Sequence, residues 1–157
     1  RYRPIETVED RAAAYEIIGK LGGFTLAIEL IAAGFAAHPS ATYAGIAEGL
    51  LSLFSMHTTC SVLVNEVQQA LQADIRRFLE QTVDRDADWR HNDPAHSDCD
   101  RCNADAHLRA LMLGPSLTLQ VSGGELVLGQ WQRVLVAELD GPRARSIRVS
   151  ILGTKAS

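Results

Sequence analysis

From Ser116 onward the chain alternates apolar and polar residues, and the alternation breaks at Gly123-Gly124 and again at Asp140-Gly141. Successive side chains of a strand point to opposite faces, so a period of two demands strands with one buried side. Paired turn residues between such runs demand hairpins. The expected strands are 116–121, 125–128, 131–139 and 146–151. A chain that ends this way is built on an antiparallel sheet. Helices are legible upstream. Val67, Leu71, Ile75, Phe78, Leu79 and Val83 recur at helical spacing, with Arg76, Arg77 and Glu80 on the wet side, predicting a helix over 66–83. Asn103 as N-cap and Asp105 in the first turn predict a second. The class is α+β with an antiparallel β body.

One stretch joins the two halves. The run Leu50–Met56 is apolar but for Ser52 and Ser55, and it reads as a strand buried on both faces. His57 and Thr58 appear where that strand ends, and Asn65 and Glu66 where the long helix is expected to begin. Polar groups at the end of a rigid element are how many sites are built. The plainer reading stands beside it: His57 caps a strand and Asn65 caps a helix.

Composition narrows the class. The chain has 157 residues with 46% hydrophobic and 22% charged residues and a net charge of -4. That is enough for a single domain over 1–157 with a sizeable core, and it lacks the basic excess that nucleic-acid binding requires. Three cysteines do not pair off internally, which points to a reducing, cytoplasmic setting. The apolar segment Phe24–Ala37 is shorter than the ~20 residues that span a bilayer, so no membrane partner is expected. It reads either as strand then helix or as one buried helix. Val8–Lys20 has a helical face in Ala12, Ala13, Ile17 and Ile18, and His38-Pro39-Ser40 reads as a loop.

Residues 84–102 form a long polar loop that holds His91, His96, Cys99 and Cys102. Long loops in compact domains are commonly functional or disordered, and this content favours function. His57, His91 and His107 each lie near an element boundary. Converging on one point, they would suit a divalent metal with an open position, zinc in preference to the oxygen-seeking magnesium. Separate structural roles are the competing reading. Glu66 is then the fourth ligand or the base for a metal-bound water, with His57 beside it. Cys99 and Cys102 have C-x2-C spacing without a second such pair, so an exposed thiol pair is expected over a zinc knot. Cys60 is expected to pack as a small hydrophobe. Arg143, in a Gly-Pro turn, either presents a fork to phosphate or is simply solvated. Gln130-Trp131-Gln132 places two amides around an aromatic ring, suited to a flat polar ligand, though a Trp in plain core fits the pattern too.

Taken together, five blocks in order resemble a known family. They are His57-Thr-Thr-Cys-Ser-Val-Leu-Val-Asn-Glu66, His91 shortly after an aromatic, Asn103-Ala-Asp-Ala-His107, Leu126-Val-Leu-Gly-Gln-Trp-Gln132 and Glu138-Leu-Asp-Gly-Pro-Arg143. They are similar to the YjbQ family of secondary thiamine-phosphate synthase enzymes, over about Gly45 to Gly153. The resemblance implies a β-sandwich-like α+β fold, with two or three helices, and a homotrimer. It also implies a site built from the His motifs and a weak activity joining a pyrimidine pyrophosphate to a thiazole phosphate. His57, Glu66, His91, His107, Gln132 and Arg143 carry over directly. Gln130 stands where the family commonly has Thr, and 1–44 do not follow the family's usual opening. Cys99 and Cys102 lie outside the family pattern.

These expectations converge on a metal-assisted enzyme of a small phosphorylated substrate. Glu66 and His57 are its catalytic candidates, with Thr58, Asn65, Gln130, Gln132 and Arg143 as substrate contacts. His57, His91 and His107 are the metal ligands. A metal-dependent hydrolase and a non-catalytic trimeric metabolite binder are the alternatives.

Overall fold

In the computed structural model, residues 46–155 are described, together with the short strand β1, Thr25–Leu26. The expected elements at 8–20 and 38–40, and most of 24–37, lie outside the described residues.

Among the described residues the strands form two antiparallel sheets. Strands β2 (Ile46–Ser55), β4 (Ser116–Ser122), β5 (Glu125–Leu126) and β7 (Ile147–Lys155) form one, in the order β5-β4-β2-β7. Strands β3 (Cys60–Asn65) and β6 (Arg133–Glu138) form the other with β1, in the order β1-β6-β3. The sheets face each other across a core of Leu51, Leu53, Leu119 and Val121 from the first and Cys60, Val62, Val134 and Val136 from the second. Helices α1 (Gln69–Thr82) and α2 (Ala104–Leu113) cover the other face of the three-stranded sheet. There Leu79, Ala106 and Ala110 pack on Leu135, Ala137 and Leu139. The result is three layers, helices on sheet on sheet, the α+β class expected.

Three expectations need correction. The strand buried on both faces is β6, not β2. On β6 the alternation sends Val134, Val136 and Glu138 into the sandwich and Leu135 and Ala137 under the helices, so all of them are buried. On β2 only one face is covered: Leu51, Leu53 and Ser55 are buried, whereas Leu50 is 48% and Phe54 45% exposed. Apolar residues on its outer face made β2 look doubly buried. The second correction concerns 57–66, which is a turn and a strand before the helix. Its Val-rich run pairs with β6 from Cys60↔Glu138 to Asn65↔Arg133, a partner on which helical periodicity is silent. Third, α1 begins at Gln69 and not at Glu66. Its N-cap is Gln68, whose side chain accepts from the Leu71 N–H, while Asn65 Oδ1 accepts from the Glu66 N–H at 2.9 Å and ends β3.

The hairpin expected at Gly123-Gly124 formed between β4 and β5, whereas the one expected at Asp140-Gly141 did not: that turn joins β6 to β7, strands of different sheets. Gly123 and Gly124 have φ of 60° and 81°, the left-handed pair that a tight two-residue turn needs. Between β2 and β7, Gly49 pairs with Gly153. A Cβ on Gly49 would meet Gly153 Cα at 2.7 Å and run into the Leu152 carbonyl, so the close approach of these strands requires glycine.

Candidate functional site

Glu138 is the third inward-facing residue of β6 and stands where the sandwich core ends. A buried carboxylate requires a charged or hydrogen-bonding partner, and Arg145 supplies it from the segment between β6 and β7. Arg145 Nε bonds one carboxylate oxygen and Nη2 the other, at 2.5 Å for the second. Both side chains are buried, 6% and 1% exposed. The pair is bidentate, the strong geometry for guanidinium and carboxylate. Glu138 also accepts the Asp140 N–H at 2.8 Å, and Arg145 donates to Thr59 Oγ1 at 3.0 Å.

This ion pair braces the turn between β2 and β3, where His57 sits. The Ser146 backbone N–H donates to His57 Nε2 at 2.8 Å. An imidazole nitrogen that accepts carries no proton, so the proton of the neutral ring is assigned to Nδ1. Burial lowers the His57 pKa, and the Arg145 charge lowers it further against a smaller opposing effect of Glu138. His57 is thus held as a neutral Nδ1–H donor near pH 7.

His91 and His107 meet nearby. His91 lies in a single 3-10 turn (Arg90–Asn92) of the long loop, and its ring stands edge-on to that of His107, centroids 4.9 Å apart at 79°. His91 Nε2 is buried without a hydrogen-bond partner. The His107 pKa is lowered by burial and then by His91, with Asp140 acting the other way. The N-terminus of α2 is fastened in an unexpected manner. Asn103 makes no side-chain cap; instead Asn92 Oδ1 accepts the Ala104 N–H at 3.0 Å and Asn103 Nδ2 donates to Asp140 Oδ2 at 2.9 Å. Asp105 is buried and pairs with Arg109 at 2.9 Å.

Asp140 is the hinge of this end. Besides Asn103 it has the guanidinium groups of Arg101 and Arg143 at 3.6 and 3.7 Å. Arg143 follows the cis Gly141–Pro142 bond and is partly exposed. A cleft of about 650 Å³ opens beside it, lined by Asn103, Asp140 and Arg143 together with Arg85, Asp105 and Arg109. The histidines lie outside its lining.

The predicted site residues therefore fall into two groups. His57, Thr58, His91, His107 and Arg143 gather around the Glu138 end of the three-stranded sheet. Asn65, Glu66, Gln130 and Gln132 lie at the Arg133 end, about 17 Å away at ~3.4 Å per strand residue, because Asn65 pairs with Arg133 and Cys60 with Glu138. Gln132 Oε1 is used locally, accepting the Gly129 N–H at 2.8 Å, and Trp131 is 65% exposed rather than core. Among the described residues no group of three or more His, Cys, Asp or Glu side chains is arranged to hold a metal. Cys60 is buried as expected, and burial raises its thiol pKa.

Sequence reading missed Glu138, Arg145, Thr59 and Asp140 as site residues. A signal existed for the first: an acid in register with Val134 and Val136 on an inward face must have a buried cation. The segment that supplies Arg145 has no periodicity, so its side-chain direction was not legible.

A family model for UPF0047 protein YjbQ-like sequences matches residues 38–154. A UPF0047 protein of Methanothermobacter thermautotrophicus is 47% identical over 109 residues, 69% of this chain and 72% of the relative. A solved structure of an Aeropyrum pernix protein superposes with a TM-score of 0.64 at 39% identity, covering 70% of this chain and 78% of the other. A Sulfolobus solfataricus protein, described as YbjQ-like and of unknown function, superposes with a TM-score of 0.63 at 37% identity, covering 69% and 75%.

Proposed function

The chain belongs to the UPF0047, YjbQ-like family, and from that premise we propose that it is an enzyme of small phosphorylated compounds whose phosphate groups are held at the His57 end. The observation that carries this reading is the engagement of His57 Nε2 by the Ser146 N–H. It leaves a neutral Nδ1–H that can donate to a phosphate oxygen and is not free to act as a metal ligand. Arg101 and Arg143 share Asp140 as counter-ion, and an incoming phosphate can take its place with the bidentate geometry that guanidinium favours.

The reaction we assign is the one the family resemblance implies: a bond forms between a pyrimidine methylene carbon and a thiazole nitrogen while pyrophosphate leaves. His57 and Arg143 stabilise the charge that gathers on the departing oxygens. Turnover of the two precursors, run beside a phosphatase screen, tests this. Thiamine phosphate should form with the parent and fall by at least tenfold with His57→Asn, since a hydrogen bond to a charged group contributes about 1.5–3 kcal/mol. Hydrolysis of many phosphate esters without coupling would overturn the assignment in favour of a hydrolase.

One observation favours a metal-assisted version. The buried, unpartnered Nε2 of His91 beside His107 fits a divalent ion, zinc over magnesium. Such an ion would supply Lewis acidity toward the leaving pyrophosphate. His107→Ala should then lose stoichiometric zinc from the purified protein, and unchanged zinc content would contradict it.

The assembly we infer is a homotrimer. Leu50 and Leu152 are paired neighbours on the outer face of the four-stranded sheet, and with Phe54 they are close to half exposed. A contiguous apolar sheet face needs a cover. Packing of copies would also let the Gln132 end of one subunit complete the His57 end of the next, joining the residue groups that one chain keeps apart. Light scattering that reports a monomer at micromolar concentration would contradict the trimer.

A further inference from the structure

Cys99 and Cys102 are reactive groups that the proposed function leaves unused. Both are free thiols, Cys99 half-buried and Cys102 exposed. They are the corners of a turn whose central residues are Asp100 and Arg101. Corner residues of a tight turn have Cα atoms within about 7 Å, which overlaps the roughly 4.4–6.8 Å span of a disulfide. Each thiol is directed at a different asparagine. Cys99 Sγ donates to Asn103 Oδ1 at 3.8 Å and Cys102 Sγ to the Asn92 carbonyl at 3.7 Å. These are the two asparagines that support the histidine pair. Asn92 directly follows His91 and holds the Ala104 N–H of the helix that carries His107. Asn103 holds Asp140, whose charge acts on His107.

We propose that Cys99 and Cys102 are a peroxide-sensitive dithiol whose closure to a disulfide shifts the His91–His107 pair. The thiolate of the more exposed Cys102 attacks one oxygen of a hydroperoxide. An S–O bond forms as the O–O bond breaks, and the other oxygen departs as alcohol or water after protonation. Cys99 sulfur then attacks the sulfenic sulfur of Cys102, forming S–S and expelling hydroxide, which leaves as water with the Cys99 proton. Two electrons pass from the sulfurs to the peroxide, and a dithiol reductant returns them. A disulfide has no S–H donor, so the contacts to Asn92 and Asn103 are lost in one event. This goes beyond the proposed function and depends on none of its chemistry.

The test uses the full chain, hydrogen peroxide as oxidant, intact-mass measurement and the imidazole signals of His91 and His107 at fixed pH. The mass should fall by two hydrogens, both imidazoles should shift, and dithiothreitol should restore both readings. The C99S/C102S variant should show neither change. Sulfinic acid in place of a disulfide, a disulfide with unmoved imidazole signals, or the same shifts in the double variant would each overturn the proposal. If the double variant does not fold, the parent's mass and imidazole readings decide the question by themselves.

Discussion

At one end of the β3–β6 ladder Cys60 faces Glu138; at the other Asn65 faces Arg133. Around Glu138 a bidentate ion pair, Thr59, the Asp140 N–H and His57 form one tied network inside the protein. Around Arg133 local bonds are made by Arg133 to the Gln130 and Gln132 carbonyls and by the Gly129 N–H to Gln132 Oε1, and Trp131 is 65% exposed. Both ends belong to motifs that the family resemblance marks as functional. The difference teaches that one end is a finished support, with rotamers held by buried partners, while the other has its amide-aromatic group in place with Trp131 exposed. A site that uses both must bring a second surface to the open end.

The largest effect should come from cutting the tied end. Arg145→Met leaves the Glu138 carboxylate buried without its cation, and loss of one partner of a buried pair costs about 3–5 kcal/mol. Urea denaturation should show that loss, whereas Gln132→Ala at the open end should stay within about 0.5 kcal/mol, as exposed changes usually do. Equal losses at the two ends would erase the comparison.

The next effect is on ligand binding. Arg143→Lys replaces a planar fork by a point charge and should weaken inorganic pyrophosphate binding by several-fold in calorimetry, with the urea midpoint nearly unchanged. Equal affinity in both proteins would place the anion elsewhere.

The smallest effect is a pH dependence that only the His57 end should show. The folded pKa of His57 is lowered from its ordinary 6.5, so the unfolded chain binds the proton more readily. Its contribution to stability is present above pH 6.5 and is lost as pH falls toward the folded value. Protonation would also turn Nε2 into a donor facing the Ser146 N–H. The parent's melting temperature should decline over this window more steeply than that of His57→Asn, and parallel curves would show that His57 is not coupled to folding.

How much of this was legible in the sequence follows from what each pattern encodes. Period-two alternation and the Gly123-Gly124 turn report local backbone geometry, and the C-terminal strands came out close to their expected bounds. Strand β3, 60–65, was hidden because its pairing partner, β6, lies far along the chain. His91 and His107 were legible as neighbours of one loop and one helix start. Their convergence was not, because it depends on Asn92, in place of the expected Asn103, bonding the Ala104 N–H at the start of α2. Glu138 was a buried charge that strand register alone could have flagged.

The central claim is that His57 waits as a neutral Nδ1–H donor for an anionic oxygen. Long-range 1H–15N correlation of the His57 ring at pH 7, with and without inorganic pyrophosphate, measures this directly. The account predicts a protonated Nδ1 and an unprotonated Nε2 in the free protein, with the Nδ1–H signal moving as pyrophosphate saturates the site. A proton on Nε2, or an Nδ1–H signal indifferent to saturating pyrophosphate, would contradict it.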